Sequence, residues 1–170
     1  MKKVLSLILL VVMAAAIVAC GGENEPQQAP SNGEEQKPPQ QEIFAVGDRV
    51  KIGDFFITVK KAYFYAGSQW NKPSEDENWV VVDVELENAS DETVHVSSLL
   101  MFALYDEENY EADMVINTDA KGSLDGELGA GRKMAGELTF SVPKDQSTFE
   151  FIFKPDLFKT GQAIFLLEVK

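Results

Sequence analysis

The feature that most constrains this chain is a two-residue alternation in its middle. Val80, Val82, Val84 and Leu86 occupy every second position of a run whose other positions are Trp79, Val81, Asp83, Glu85 and Glu87. Successive side chains of a strand point to opposite faces, so this is a strand with one buried face and one largely polar face. One-sided burial of that kind belongs to antiparallel sheets. Leu138, Phe140 and Val142 alternate with Thr139 and Ser141 up to Pro143, and Phe149, Phe151 and Phe153 repeat the pattern before Lys154-Pro155. Phe55 to Tyr65 is β-rich. Leu99 to Tyr105 and Tyr110 to Ile116 flank Asp106-Glu107-Glu108-Asn109, a hairpin turn by composition. Phe165, Leu167 and Val169 end the chain with Ile164 and Leu166 between them, so that strand is expected to be covered on both faces. No helical period is sustained after the first 20 residues, and no internal repeat is visible. Seven to eight short strands separated by turn residues predict an all-β, antiparallel sandwich of the immunoglobulin-like kind.

The N-terminal end obeys different rules. Lys2 and Lys3 precede an apolar run from Val4 to Ala19, which ends in Ile17-Val18-Ala19-Cys20 and is followed by Gly21-Gly22. A basic start, an apolar stretch and small residues before a cysteine make the pattern of a bacterial lipoprotein signal, residues 1–19, cleaved ahead of a lipid-bearing Cys20. The run has 16 residues, marginal against the about 17–25 needed to cross a bilayer. Cys20 is the only cysteine. Lipidation removes the reactive thiol that an exported protein would otherwise carry, and leaves the domain without a disulfide. The implied covalent group is a diacylglyceryl lipid with a further acyl chain, and the implied address is the extracytoplasmic face of the cell membrane. No other cofactor is expected.

Residues 20–42 hold the cysteine and then 22 residues without Val, Ile, Leu, Met or any aromatic side chain. Such a segment cannot bury enough apolar surface to order itself, and reads as a spacer. The remaining stretch, 43–170, contains all 11 Phe, both Trp and all 4 Tyr, enough for a single core. Cleavage would take the net charge from −13 to −15 by removing Lys2 and Lys3. Nucleic acid is excluded as a partner on that charge, since its phosphates need Lys and Arg. Anionic headgroups would repel the domain as well.

Three segments resemble a known family. They are Asn78-Trp79-Val80-Val81-Val82-Asp83 running to Asn88, Phe102-Ala103-Leu104-Tyr105-Asp106 with Tyr110, and Leu128-Gly129-Ala130-Gly131 followed by Gly136 to Pro143. Their order resembles the domain-of-unknown-function 4352 family of bacterial lipoproteins, over about Val46 to Val169. Ala130 stands where that family commonly has proline. The resemblance implies an immunoglobulin-like fold, similar to a secreted mycobacterial immunoprotective antigen, and no catalytic residues.

Several motifs need weighing. Gly126 to Lys133 approaches a phosphate loop, but Arg132 and Lys133 stand where lysine and a hydroxyl are needed, so it reads as a turn before a strand. Asp83, Glu85 and Glu87 lie on one strand face, about 6.5–7 Å apart between neighbours. That suits a glycan-hydrolysing pair in spacing, and suits equally a solvated face relieved by Lys60 or Lys61. Asp106 and Glu108, with Asp113, are candidate oxygen ligands for a weak cation site, against the simpler reading of a polar turn. His95, the only histidine, reads as an ordinary strand residue. Tyr65, Trp70 and Trp79 are the candidate ligand-binding residues, because exposed aromatic rings stack on sugars or anchor proteins. The plain alternative has Trp79 capping the core and Trp70 packed over a sheet edge. The functional expectation is a membrane-anchored, non-catalytic binding module with a protein or glycan partner. The alternatives are an envelope hydrolase using acidic residues and an accessory solute- or cation-binding lipoprotein.

Overall fold

A computed structural model of the protein describes residues 42–156 and 161–170; the leader, Cys20 and the spacer lie outside them. The chain runs β1 (Ile43–Ala45), β2 (Arg49–Ile52), β3 (Phe55–Tyr65), β4 (Glu77–Asn88), β5 (Val94–Val96), a helical turn α1 (Ser98–Met101), β6 (Phe102–Asp106), β7 (Asp113–Met114), β8 (Gly126–Leu128), β9 (Lys133–Pro143), β10 (Thr148–Phe153) and β11 (Ala163–Glu168). One sheet has the order β2-β3-β4-β9-β7, the other β1-β11-β10-β6, and β5 pairs with β8 alone. Every pairing is antiparallel except β1 with β11. The fold is the expected immunoglobulin-like β-sandwich.

The alternating residues meet between the sheets. Val80, Val82, Val84 and Leu86 of β4 are buried, as are Leu138, Phe140 and Val142 of β9, Phe149, Phe151 and Phe153 of β10, and Phe165 and Leu167 of β11. Phe151 bridges the layers, stacked on Phe102 at 5.7 Å and edge-on to Phe140 at 6.1 Å. Phe55 of β3 meets Phe153 edge-on at 5.6 Å and closes one end of the core.

A bulge in β3 decides which residues reach the outer surface. The register shifts between Val59, opposite Val84, and Lys61, opposite Asp83. Ile57 and Val59 face the core before the shift, and Ala62 and Phe64 pack against it afterwards. Strict alternation from Val59 would have driven Lys61, Tyr63 and Tyr65 inward. One extra residue, Lys60, reverses the phase and turns both tyrosines outward.

Two sequence expectations change. Leu99 to Met101 is helical, with Met101 N–H donating to Ser97 C=O at 3.0 Å, and the strand starts only at Phe102. The strand expected over Tyr110 to Ile116 shrinks to Asp113–Met114 and a bridge at Glu111. Eleven strands, counted among the described residues, exceed the seven to eight expected by β1, β2, β5 and β8, which have three to four residues each.

Candidate functional site

The outer face of the five-stranded sheet has two halves. At the Phe55 end, charged residues from four strands interlock. Glu87 lies 3.0 Å from Arg49 and 3.4 Å from Lys133, Glu85 lies 2.9 Å from Lys133, and Asp83 lies 3.4 Å from Lys60. The guanidinium of Arg49 also sits 3.5 Å above the Phe56 ring. Arg49 and then Lys133 hold the Glu87 carboxyl below its ordinary value, the reverse of what a general acid requires. The spaced carboxylates are thus tied into an ion-pair ladder.

At the other end the face is covered by residues 116–120. Before them, Asp113 and Met114 pair along β9, and Val115 N–H donates to Thr139 C=O at 2.9 Å. After them, Glu137 N–H donates to Lys121 C=O and Ser123 N–H to Ala135 C=O, at 2.9 and 3.2 Å. The segment between leaves the sheet edge and folds across it. Asn117 Nδ2 donates to Thr139 Oγ1 at 3.1 Å, and Tyr65 O–H donates to Asp119. On this half of the outer face Val81, Thr139 and Trp79 are buried, and Thr139 is in direct contact with the strap through Asn117. Beneath it Tyr63 O–H donates to Glu137 Oε1 at 3.1 Å. Burial first, and that bond second, push the Tyr63 phenol up to about 12.

The three aromatic candidates therefore separate. Trp79 is 5% exposed and stacked with Tyr65 at 6.4 Å. Its indole is buried, so Trp79 does not share an exposed surface with Trp70. Trp70 is 89% exposed, on the loop between β3 and β4, and packs over no sheet edge. That loop is fixed by Ser68 N–H donating to Asn71 C=O at 2.7 Å and by Thr118 N–H of the strap donating to Asn71 Oδ1 at 3.2 Å. Ile116, 84% exposed, rises from the strap two residues from this joint. Ile116 reads from the sequence as the end of a strand, and its exposure depends on the strap leaving the sheet.

The cation candidates are Asp106, Glu108 and Asp113. Asp106 Oδ1 accepts the backbone N–H of Glu108 and of Tyr110, at 3.0 and 2.8 Å, and Oδ2 accepts Gln146 Nε2 at 3.2 Å. The Tyr110 bond, foremost, holds this carboxyl below its usual range. Asp106 is the clasp of the turn, in which Asn109 takes a left-handed φ of 65°. Asp113 sits on β7, opposite Ser141. Asp106, Glu108 and Asp113 line one open cavity of about 290 Å³, but among the described residues no three His, Cys, Asp or Glu side chains converge on a point that could hold a metal ion, and the polar-turn reading fits the Asp106 contacts. His95 is exposed on β5, 3.4 Å from Glu127. A cavity of about 230 Å³ opens beside it, lined by Ile52, Phe55, Val94, Met101 and Pro155. That is below the roughly 300–1,000 Å³ usual for small-molecule sites.

Residues 44–164 match the family described as Domain of unknown function (DUF4352). The chain belongs to this family. It is similar to the Uncharacterized lipoprotein YjhA of Bacillus subtilis (strain 168), with 24% identity over 136 residues, which cover 72% of this chain and 63% of that protein. The match thus spans less than two thirds of that relative's length. The crystal structure of the B. subtilis yjhA protein superposes with a TM-score of 0.58 at 19% identity, covering 74% of this chain and 100% of that one. A putative lipoprotein, ycdA, from the same organism gives 0.59 at 21%, covering 69% of this chain and 38% of that one. The secreted protein MPT63 of Mycobacterium tuberculosis gives 0.54 at 10%, covering 76% and 98%. At these identities the likeness is one of fold, and fold does not carry function.

Proposed function

We propose that this DUF4352 chain is a lipoprotein held at the extracytoplasmic face of the cell membrane through Cys20, and that its sandwich is a non-catalytic binding module. The lipobox-like Ile17-Val18-Ala19-Cys20 and the lipoprotein relatives support the anchor. The observation that carries the binding role is Trp70. A large ring almost wholly in water, on a loop pinned at both flanks, loses little conformational freedom when a partner covers it. Ile116 widens the same surface. The partner class is a protein or glycan of the cell envelope; the acidic chain is a poor match for nucleic acid. The acidic row Asp83-Glu85-Glu87 is read as structural, because each carboxylate is paired with a cation.

Photocrosslinking in living cells from a probe at Trp70 tests the binding role. A discrete captured species, lost when Ile116 is changed to Ser, is expected. Capture of bulk lipid and wall alone would remove the specific partner. Incorporation of a labelled lipid precursor tests the anchor. Labelling should disappear in Cys20→Ala, and labelling that persists would sink the anchored reading.

A further inference from the structure

We infer that the helical turn α1 is a lipid-docking tip: Leu99 and Leu100 rest in the bilayer surface and stand the sandwich on end, with the Trp70 loop pointing away from the membrane. The inference rests on the anchored reading above.

The strand registers place the two ends. Ile43 is opposite Ile164, Ile164 is opposite Ile152, and Ile152 is opposite Ala103, so these four residues form one row across the four-stranded sheet. Three strand spacings, about 14 Å in all, separate Ile43 from Ala103. Ala103 lies two residues beyond α1. The chain therefore enters the sandwich at the end that carries α1. Phe55 packs on Phe153, which is opposite Phe102, so the start of β3 lies at that end too. Tyr65, ten residues further along β3, leads into the Trp70 loop at the other end, about 33 Å away at the usual strand rise.

Leu99 and Leu100 are 74% and 59% exposed. The turn that carries them is fixed. The Ser98 N–H and Oγ both donate to Asp125 Oδ1, at 2.8 and 3.0 Å, and Lys154 N–H donates to Met101 C=O at 2.8 Å. Two adjacent leucines on a pinned turn lose their contact with water only against an outside surface. Branched aliphatic chains offer a sugar neither ring nor hydrogen bond, but they suit acyl chains. The spacer decides which surface is in reach. Only 22 residues stand between Cys20 and Ile43, so of the two ends of the sandwich the one at which the chain enters is the one tied closest to the lipid. That end is thus kept near the headgroups. At the net charge of −15 that remains once Lys2 and Lys3 are removed the contact must be apolar, and salt should strengthen it by screening repulsion from anionic lipid.

The test uses the lipidated full-length chain in phosphatidylethanolamine–phosphatidylglycerol vesicles containing a spin-labelled acyl chain. Lipidation makes the Cys20 sulfur a thioether, so a cysteine introduced by Leu99→Cys, or separately by Trp70→Cys, is the sole thiol for an environment-sensitive dye. Quenching at position 99 should exceed that at position 70 at least about twofold, should fall with Leu100→Ser, and should not weaken in salt. Equal quenching at the two positions, or more at 70, overturns the docking while the chain still floats with the vesicles. A position-99 disulfide between two copies on mild oxidation also overturns it, in favour of a dimer. A chain that fails to float overturns the anchor, and the docking with it.

Discussion

At the scale of single residues, Asn88 has the most invested in one side chain. It is fully buried; its Nδ2 donates to Glu92 C=O and Leu128 C=O at 2.6 and 2.9 Å, and its Oδ1 accepts Ser90 N–H and Oγ at 3.0 and 2.8 Å. Asn88→Ala leaves two carbonyls and two donors to find new partners, and should lower unfolding free energy by about 2–4 kcal/mol in urea melts. Tyr63 makes a pH prediction. Its folded phenol is raised from 10.0 to about 12, so its contribution to stability is complete below pH 10 and is lost as pH rises toward about 12. Hydrogen bonds to Asp119 and Glu111 raise Tyr65 and Tyr105 too, so the phenolate absorbance should titrate late in several steps, and the last of them should be lost in Tyr63→Phe. Glu87 and Asp106 act in the opposite sense. Their folded carboxyls lie below the ordinary 4.5 and 3.8, so what they contribute is present above those values and fades as pH falls through the folded ones. The drop in urea midpoint on acidification should be shallower in Asp106→Asn.

Among the elements, the strap and the β3 bulge show how far a sequence can be read. Strands β4 and β10 are legible because their apolar residues alternate over six or more positions, and β11 because its apolar run is unbroken, although Leu166 on its outer face is 40% exposed and not covered as expected. Strands of three to four residues, such as β1 and β8, complete too few alternations to register. Leu99-Leu100-Met101-Phe102 reads as one apolar run, and only the Ser97 and Asp125 contacts wind its first part into a turn. Trp70 was legible as a loop residue from its polar neighbours, whereas the burial of Trp79 goes with its stack on Tyr65 of the neighbouring strand. The strap needs two glycines. A Cβ on Gly122 would lie 2.3 Å from the Ala135 carbonyl oxygen at a φ of +71°, and one on Gly136 would meet the Ser123 backbone at 2.9 Å. Gly122→Ala should loosen the strap and cost about 1–3 kcal/mol. Hydrogen exchange should accelerate at residues 115–123, and the Trp79 emission should shift to the red. Unchanged protection there would count against the strap as a packed cover.

For the whole molecule, charge and direction matter most. A chain at −13 works against its own compact state, so its melting temperature should rise as ionic strength is raised from low values toward about 0.15 M, despite the weakening of the Arg49–Glu87–Lys133 ladder. A fall would mean that the ladder outweighs the net repulsion. The placement of Ile43 and Trp70 at opposite ends has a mechanical consequence. A sandwich held by its lipid at one end and by a partner at the Trp70 loop would be pulled along its strands, the load entering at Ile43 on β1 and leaving through Tyr65 at the end of β3. The hydrogen bonds between antiparallel strands lie across that direction, so the pull would shear them together instead of peeling them singly.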